Sequence, residues 1–284
     1  FININIYFFC KQQRRIKMAT PNYSKYLKDI VNKEGKLAKC FSVFHDYSIG
    51  NQILAMIQLE ERNEDLSPIA PYKKWLSLGR QVKKGSKALE LLIPLIYKKK
   101  DANGKVLVDN NGKEKTGTAF SLKNRWFTLD QTEPLEGAEE FKQEEKNATW
   151  DAQTALNNLL IIEEKFQYAS GNCQGYAKEG FIAINPIAQY PHKTRFHEIA
   201  HNVLGHCSEG TLSDDDRTPK DIKEVEAESV AYILCQVLGL SGAEDSRGYV
   251  QHWLLNQEIS DQSAAKIFST ADKILKAGQS KELV

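Results

Sequence analysis

The run His197-Glu198-Ile199-Ala200-His201 restricts the fold more than any other stretch of the chain. On an α-helix, histidines four apart lie one turn apart on one face, so both imidazoles can reach a single metal ion. Glu198 is offset by about 100° and can reach a water beside that ion as general base. The competing reading is a polar helix surface that has this spacing by coincidence. A catalytic zinc also takes a third protein ligand and keeps one position open for water. A second segment must therefore bring an acid or a histidine to the same helix face.

Downstream, Glu224-Val225-Glu226-Ala227-Glu228 opens a strongly apolar helix carrying Val230, Ile233, Leu234, Val237 and Leu238. Glu224 and Glu228 are four apart and share a face. Glu224 is assigned as the third ligand and Glu228 as the acceptor that orients a histidine N–H. The reverse assignment stays open, and Glu226 is the outsider. The helix dipole also favours acids in a first turn, but it does not explain a pair aimed along the apolar face. A longer histidine signature needs Gly seven and His ten positions after the first His, where this chain has Leu204 and Cys207. His206 and Cys207 are accordingly expected to be ordinary helix-end residues, and His45, His192 and His252 structural ones.

Charge divides the chain of 284 residues. Up to Asp130 there are 24 Lys+Arg against 12 Asp+Glu, and from Gln131 onward 14 against 25, so a formal net charge of +1 conceals a basic half and an acidic half. Such a division suggests two modules with different partners, the basic one suited to phosphate. No apolar run approaches the roughly 20 residues of a membrane-spanning helix, so no membrane partner is expected. Five cysteines without paired spacing fit a reducing compartment, and the expected location is cytoplasmic. Residues 1–17, apolar and then basic ahead of Met18, reverse the order of a secretory signal and read as an upstream extension of the reading frame.

The patterns predict an α+β protein of two domains: a basic α+β module over 18–133, an acidic linker over 134–148, and a mainly helical module with a small sheet over 149–284. Helical spacing runs from Tyr23 to about Glu61, with Ser42 and Ser48 as candidate N-caps. A short helix is expected at Lys73–Leu78 and a strand at Ala88–Tyr97, cut by Pro94. Asn103-Gly104 and Asn111-Gly112 give a hairpin signal before a returning strand at Thr118–Leu129. The second module is expected to hold helices at about 151–165, 193–205, 221–238, 246–255 and 262–277, with strands around Phe166–Tyr168 and Gly180–Asn185.

Two blocks of motifs carry a family resemblance. FSVFHDYSIGNQILAMIQ (Phe41–Gln58), YKKWLSLGRQVKKGSKALELLIP (Tyr72–Pro94) and WFTLDQTEP (Trp126–Pro134) are similar to the N-terminal domain of ArdC-type antirestriction proteins. FHEIAHNVLGH and EVEAESVAYILCQVLGL (Glu224–Leu240) resemble that family's zincin-like metallopeptidase domain and also the ImmA/IrrE metalloproteases. The resemblance implies a protein of a mobile element, with a first domain that binds single-stranded DNA and a second that holds a divalent metal.

The residues of the basic half agree with that implication. Arg80, Lys83, Lys84 and Lys87 lie in a Gly-bounded basic loop that can track a backbone, while Tyr47, Tyr72, Trp75 and Trp126 offer faces for stacked bases. Tyr47 and Asn51 also match the family motif. For Trp75 and Trp126 a place in the core is an equal reading. The first hypothesis is a single-stranded-DNA-binding antirestriction protein. It would hold Zn²⁺, or another divalent metal, through His197, His201 and Glu224, and Glu198 would activate water against a protein substrate. The alternatives are a DNA-masking protein with a structural, catalytically idle metal site, and an ImmA/IrrE-like regulatory protease that cleaves a repressor.

Overall fold

The computed structural model describes residues 22–33, 35–101, 104–142, 149–167, 173–207 and 219–279. The upstream extension expected at 1–17, part of the linker expected at 134–148, and Tyr168 lie outside those residues. The described residues within Leu92–Leu122 form one compact unit, and those within Asn22–Leu91 and Lys123–Val284 form a second.

The continuous helical spacing near the N-terminus resolves into three helices, α1 (Tyr23–Asn32), α2 (Lys36–Phe44) and α3 (Ile49–Glu61). Ser48 stands at the N-cap of α3, but Ser42 lies inside α2 and its hydroxyl donates to Lys39 O, so it caps nothing. Strand β1 (Ile69–Pro71) leads into α4 (Tyr72–Ser77) and β2 (Arg80–Val82). The strands β3 (Leu89–Lys98) and β4 (Thr116–Thr128) then form a sheet of order β1-β4-β3, in which Ile69 faces Thr128 and Pro71 faces Trp126. Pro94 does not cut β3, because β3 is an edge strand and an edge tolerates a missing N–H. Between β3 and β4 the expected hairpin is a double reversal. Val106 bridges back to Lys100 and Val108 to Glu114, with Gly104 and Gly112 both at positive φ. Strand β5 (Thr132–Pro134) pairs with β2.

Helix α5 (Ala152–Leu159) starts on the Asp151 cap and stops earlier than its spacing suggests, because Leu160 turns left-handed at φ 59°. The strand expected at Phe166–Tyr168 is instead β6 (Ile162–Glu163). It runs parallel to β8 (Phe181–Ile184), which is antiparallel to β7 (Gly175–Lys178), a short strand that the sequence pattern does not signal. Helices α6 (Pro191–Leu204), α7 (Lys220–Leu238), α8 (Ala243–Asn256) and α9 (Asp261–Gly278) follow close to expectation. The chain is thus α+β, with a helical C-terminal part around a small sheet.

Helix α7 is the axis of the larger unit. From Val225 to Cys235 every residue is buried, so the helix meets neighbours on all sides, with α2, α6, α8 and α9 around it. The first three helices share this core. Tyr232 Oη of α7 donates to Ile30 O at 3.0 Å, Ser24 N to Asp261 Oδ1 at 2.9 Å and Ile49 N to Asp272 Oδ1 at 3.2 Å. No helix among the described residues is long and apolar enough to cross a membrane.

Candidate metal centre

Helix α6 begins with Pro191 at its first position, where a missing N–H is harmless, and buries Phe196, Ile199 and Ala200. Those apolar positions turn His197 and His201 toward α7, and their Nε2 atoms come within 3.0 Å of each other. Glu224 Oε2 stands 3.4 Å from His197 Nε2 and 3.7 Å from His201 Nε2. The three ligand atoms lie within 4.8 Å of one another. A tetrahedral ion with bonds of about 2.05 Å separates its ligand atoms by roughly 3.3 Å. Two imidazoles and a carboxylate at these spacings therefore suit one divalent cation.

The other two glutamates of α7 act behind the rings. Glu228 Oε2 is 2.7 Å from His197 Nδ1, and its Oε1 is 2.7 Å from Lys193 Nζ. Burial lowers the pKa of His197, but Glu224 and Glu228 outweigh it and hold the group up at about 9. Burial raises Glu228, and contacts with His197 and Lys193 bring it down to about 2. Contacts with the two histidines hold Glu224 well below the usual carboxylate range. His201 is lowered, chiefly by burial. Glu226, the outsider of the sequence reading, accepts from His206, whose other ring nitrogen meets His201. The expectation that His206 is an ordinary helix-end residue is corrected by these contacts.

Glu198 points into an open cleft of about 950 Å³ that His197, His201, Glu224 and the edge strand β7 also line. Only 7% of Glu198 is exposed, and burial with the charges of Glu224 and Glu228 pushes its pKa up to about 7 against the pull of His197. Gly175 of β7 leaves the room this carboxylate needs, since a Cβ there would stand 3.0 Å from Glu198 Oε1.

Residues 16–144 match the family described as the N-terminal domain of anti-restriction factor ArdC. That N-terminal segment is ArdC-like. The antirestriction ArdC protein of the R388 plasmid, in its metal-free crystal structure, is 18% identical over 91% of this chain and 95% of its own, with a TM-score of 0.44. Its Mn(II)-bound structure gives 18% identity over 90% and 97%, with a TM-score of 0.45. No curated protein matches the chain.

In the ArdC-like domain the expected DNA contacts separate by burial. Lys83, Lys84 and Lys87 are exposed around the turn at Gly85. Lys83 Nζ also donates to Asp130 O at 2.9 Å. Arg80 is half-buried and tied to β5, with Nε donating to Thr132 Oγ1 at 2.7 Å. Tyr47 donates to Ile69 O, and burial pushes its hydroxyl up to about 12. Asn51 sits half-buried near the start of α3. Trp75 is 1% exposed and its Nε1 donates to Phe127 O, so its ring fills the core and presents no face for a base. Trp126, 8% exposed, is likewise core.

Proposed function

We propose that this chain is an ArdC-like antirestriction protein that binds single-stranded DNA and carries a divalent-metal peptide-hydrolysing centre, with zinc as the metal. The observation that carries the reading is the convergence of His197 Nε2, His201 Nε2 and Glu224 Oε2 beside the Glu198 carboxylate at the floor of an open cleft. Two imidazoles and one carboxylate form a donor set that suits zinc and leaves a position open.

Such an ion, when bound, polarises a carbonyl and makes water nucleophilic at neutral pH. The chain's residues do the rest. Glu198 takes the proton from the attacking water and passes it to the departing amine. Glu228 keeps the His197 ring turned with Nε2 outward. Strand β7, at the edge of its sheet and along the cleft, gives an extended peptide a backbone to align with.

The DNA reading rests on the basic half and on the exposed Lys83, Lys84 and Lys87 of the family-matched domain. A single strand held there is met mainly through its phosphates, so binding falls with salt. The same reading implies a mobile-element protein acting in the cytoplasm.

The test is metal analysis combined with a protection assay on single- and double-stranded DNA, run on wild type, His197→Ala and Glu198→Gln. Stoichiometric metal is expected in wild type, together with its loss in His197→Ala. Glu198→Gln should keep the metal and lose hydrolysis. Full metal in His197→Ala would sink the site. Unchanged DNA protection by Glu198→Gln would assign protection to masking alone. Salt-insensitive or absent binding of a single-stranded oligonucleotide would remove the DNA part.

A further inference from the structure

Helix α6 ends on Gly205, which takes the left-handed conformation at φ 79°. A residue with a Cβ adopts that conformation only with strain. The turn folds the chain back, so that His206 N donates to His201 O at 2.9 Å. The His206 ring thereby comes to lie against the His201 ring, with centroids 5.1 Å apart and Nδ1 to Nδ1 at 3.0 Å. Its Nε2 is 2.9 Å from Glu226 Oε2, and Ser263 Oγ donates to the other oxygen of Glu226. The side chains of His206 and Glu226 are 4% and 5% exposed.

The direction of each bond follows from the carboxylate. A neutral His206 that donates Nε2–H to the Glu226 carboxylate presents a lone pair at Nδ1. That lone pair can only receive Nδ1–H of His201. The His201 lone pair then falls on Nε2, the atom that faces His197 and Glu224. His197 Nδ1 stands 2.7 Å from a carboxylate oxygen, whereas His201 Nδ1 meets a second imidazole.

We infer that His206 and Glu226, braced by Ser263, are positioning residues that fix the tautomer and orientation of His201 for metal. This inference rests on the proposal that the site holds a divalent ion. The pair supplies hydrogen-bond polarity, so an amide of similar reach should replace His206 and an alkyl group should not.

The experiment measures Zn²⁺ affinity of the full chain by competition with a chromophoric chelator, and the visible spectrum of the Co²⁺ form, for wild type, Glu226→Gln, His206→Leu and His206→Gln. Outer partners of this kind change metal affinity by about 10- to 100-fold. Glu226→Gln and His206→Leu should each weaken Zn²⁺ by that factor and shift the Co²⁺ bands, while His206→Gln stays near wild type. Ser263→Ala, the mildest change, should weaken Zn²⁺ several-fold and carries the test if a larger substitution fails to fold. Wild-type affinity in all variants would overturn the inference alone. Equal losses in His206→Leu and His206→Gln would reduce the pair to packing and overturn it too. A wild type that takes up no Zn²⁺ would overturn the metal site itself, and this inference with it.

Discussion

At the scale of single residues, the site depends on what is missing as much as on what is present. Gly175 has ordinary backbone angles, yet a Cβ built there would stand 2.7 Å from Thr194 Cγ2 and 3.0 Å from both Ala183 O and Glu198 Oε1. The carbonyl belongs to the paired strand β8 and cannot retreat, so the side chains of Thr194 and Glu198 must. Gly175→Ala is therefore expected to displace the Glu198 carboxylate while sparing the three ligand atoms. A misplacement of about 1 Å at a reacting group lowers turnover by roughly 100-fold. Zn²⁺ affinity should stay within a few-fold of wild type, since Glu198 is not a ligand. Hydrolysis rate and metal content measured on one preparation check this. Full turnover in the variant would show that Glu198 has slack and that Gly175 is not there for its sake.

The same residue scale shows what a linear pattern can carry. His197, Glu198 and His201 are legible because one helix places all three at a fixed spacing. Glu224 and Glu228 are legible as a same-face pair. In space Oε2 of Glu224 lies near both rings, and Glu228 lies behind His197. His206 is not legible in that way. Its role depends on a left-handed reversal at Gly205 that turns a residue past the helix end back onto the helix.

Elements explain the other misses. The spacing of α7 predicts one apolar face, on which premise Glu226 points away from the site. The helix is buried all round, so its reverse face is also interior, and there Glu226 meets Ser263 of α9 and His206. Trp75 reads equally as a stacking face or as core, and α4 decides it by turning the ring under the β1-β4 pair, where Phe127 O accepts its N–H. Element contacts also carry a stability prediction. Trp150 packs edge-on against Phe196, the neighbour of His197, at 4.7 Å and donates to Ile274 O. Gly278 at the end of α9 allows this, because a Cβ there would stand 2.2 Å from Trp150 Nε1. Gly278→Ala should expel the indole, at a cost of about 3 kcal/mol from lost packing and the lost bond. Denaturant unfolding with intrinsic tryptophan fluorescence measures it. A loss under about 0.5 kcal/mol would mean that Trp150 is not holding α6 and α9 together.

For the whole molecule, the question is whether the family-matched segment and the helices of the candidate metal site fold as one. The match ends at residue 144, and the charge division falls near Asp130, both of which favour a boundary near the expected linker. The packing favours coupling. Leu27, Ile30 and Val31 of α1 are fully buried, Ile30 O accepts from Tyr232 of α7, and Val31 O accepts from Gln251 of α8. A helix whose buried face is completed by another segment loses its protection when that segment opens. Metal therefore tests the point. A ligand at 100 times its Kd stabilises every group that is exposed only in global unfolding by about 2.7 kcal/mol. If the helices form one cooperative core, saturating Zn²⁺ should slow hydrogen exchange in α3 (Ile49–Glu61) as much as in α7, although the proposed ligands lie on α6 and α7. Two independent modules predict slowing in α7 and none in α3. Exchange followed peptide by peptide, with and without Zn²⁺, decides between them. Protection confined to residues beyond 148 would give the N-terminal helices to a separately folding DNA-binding domain.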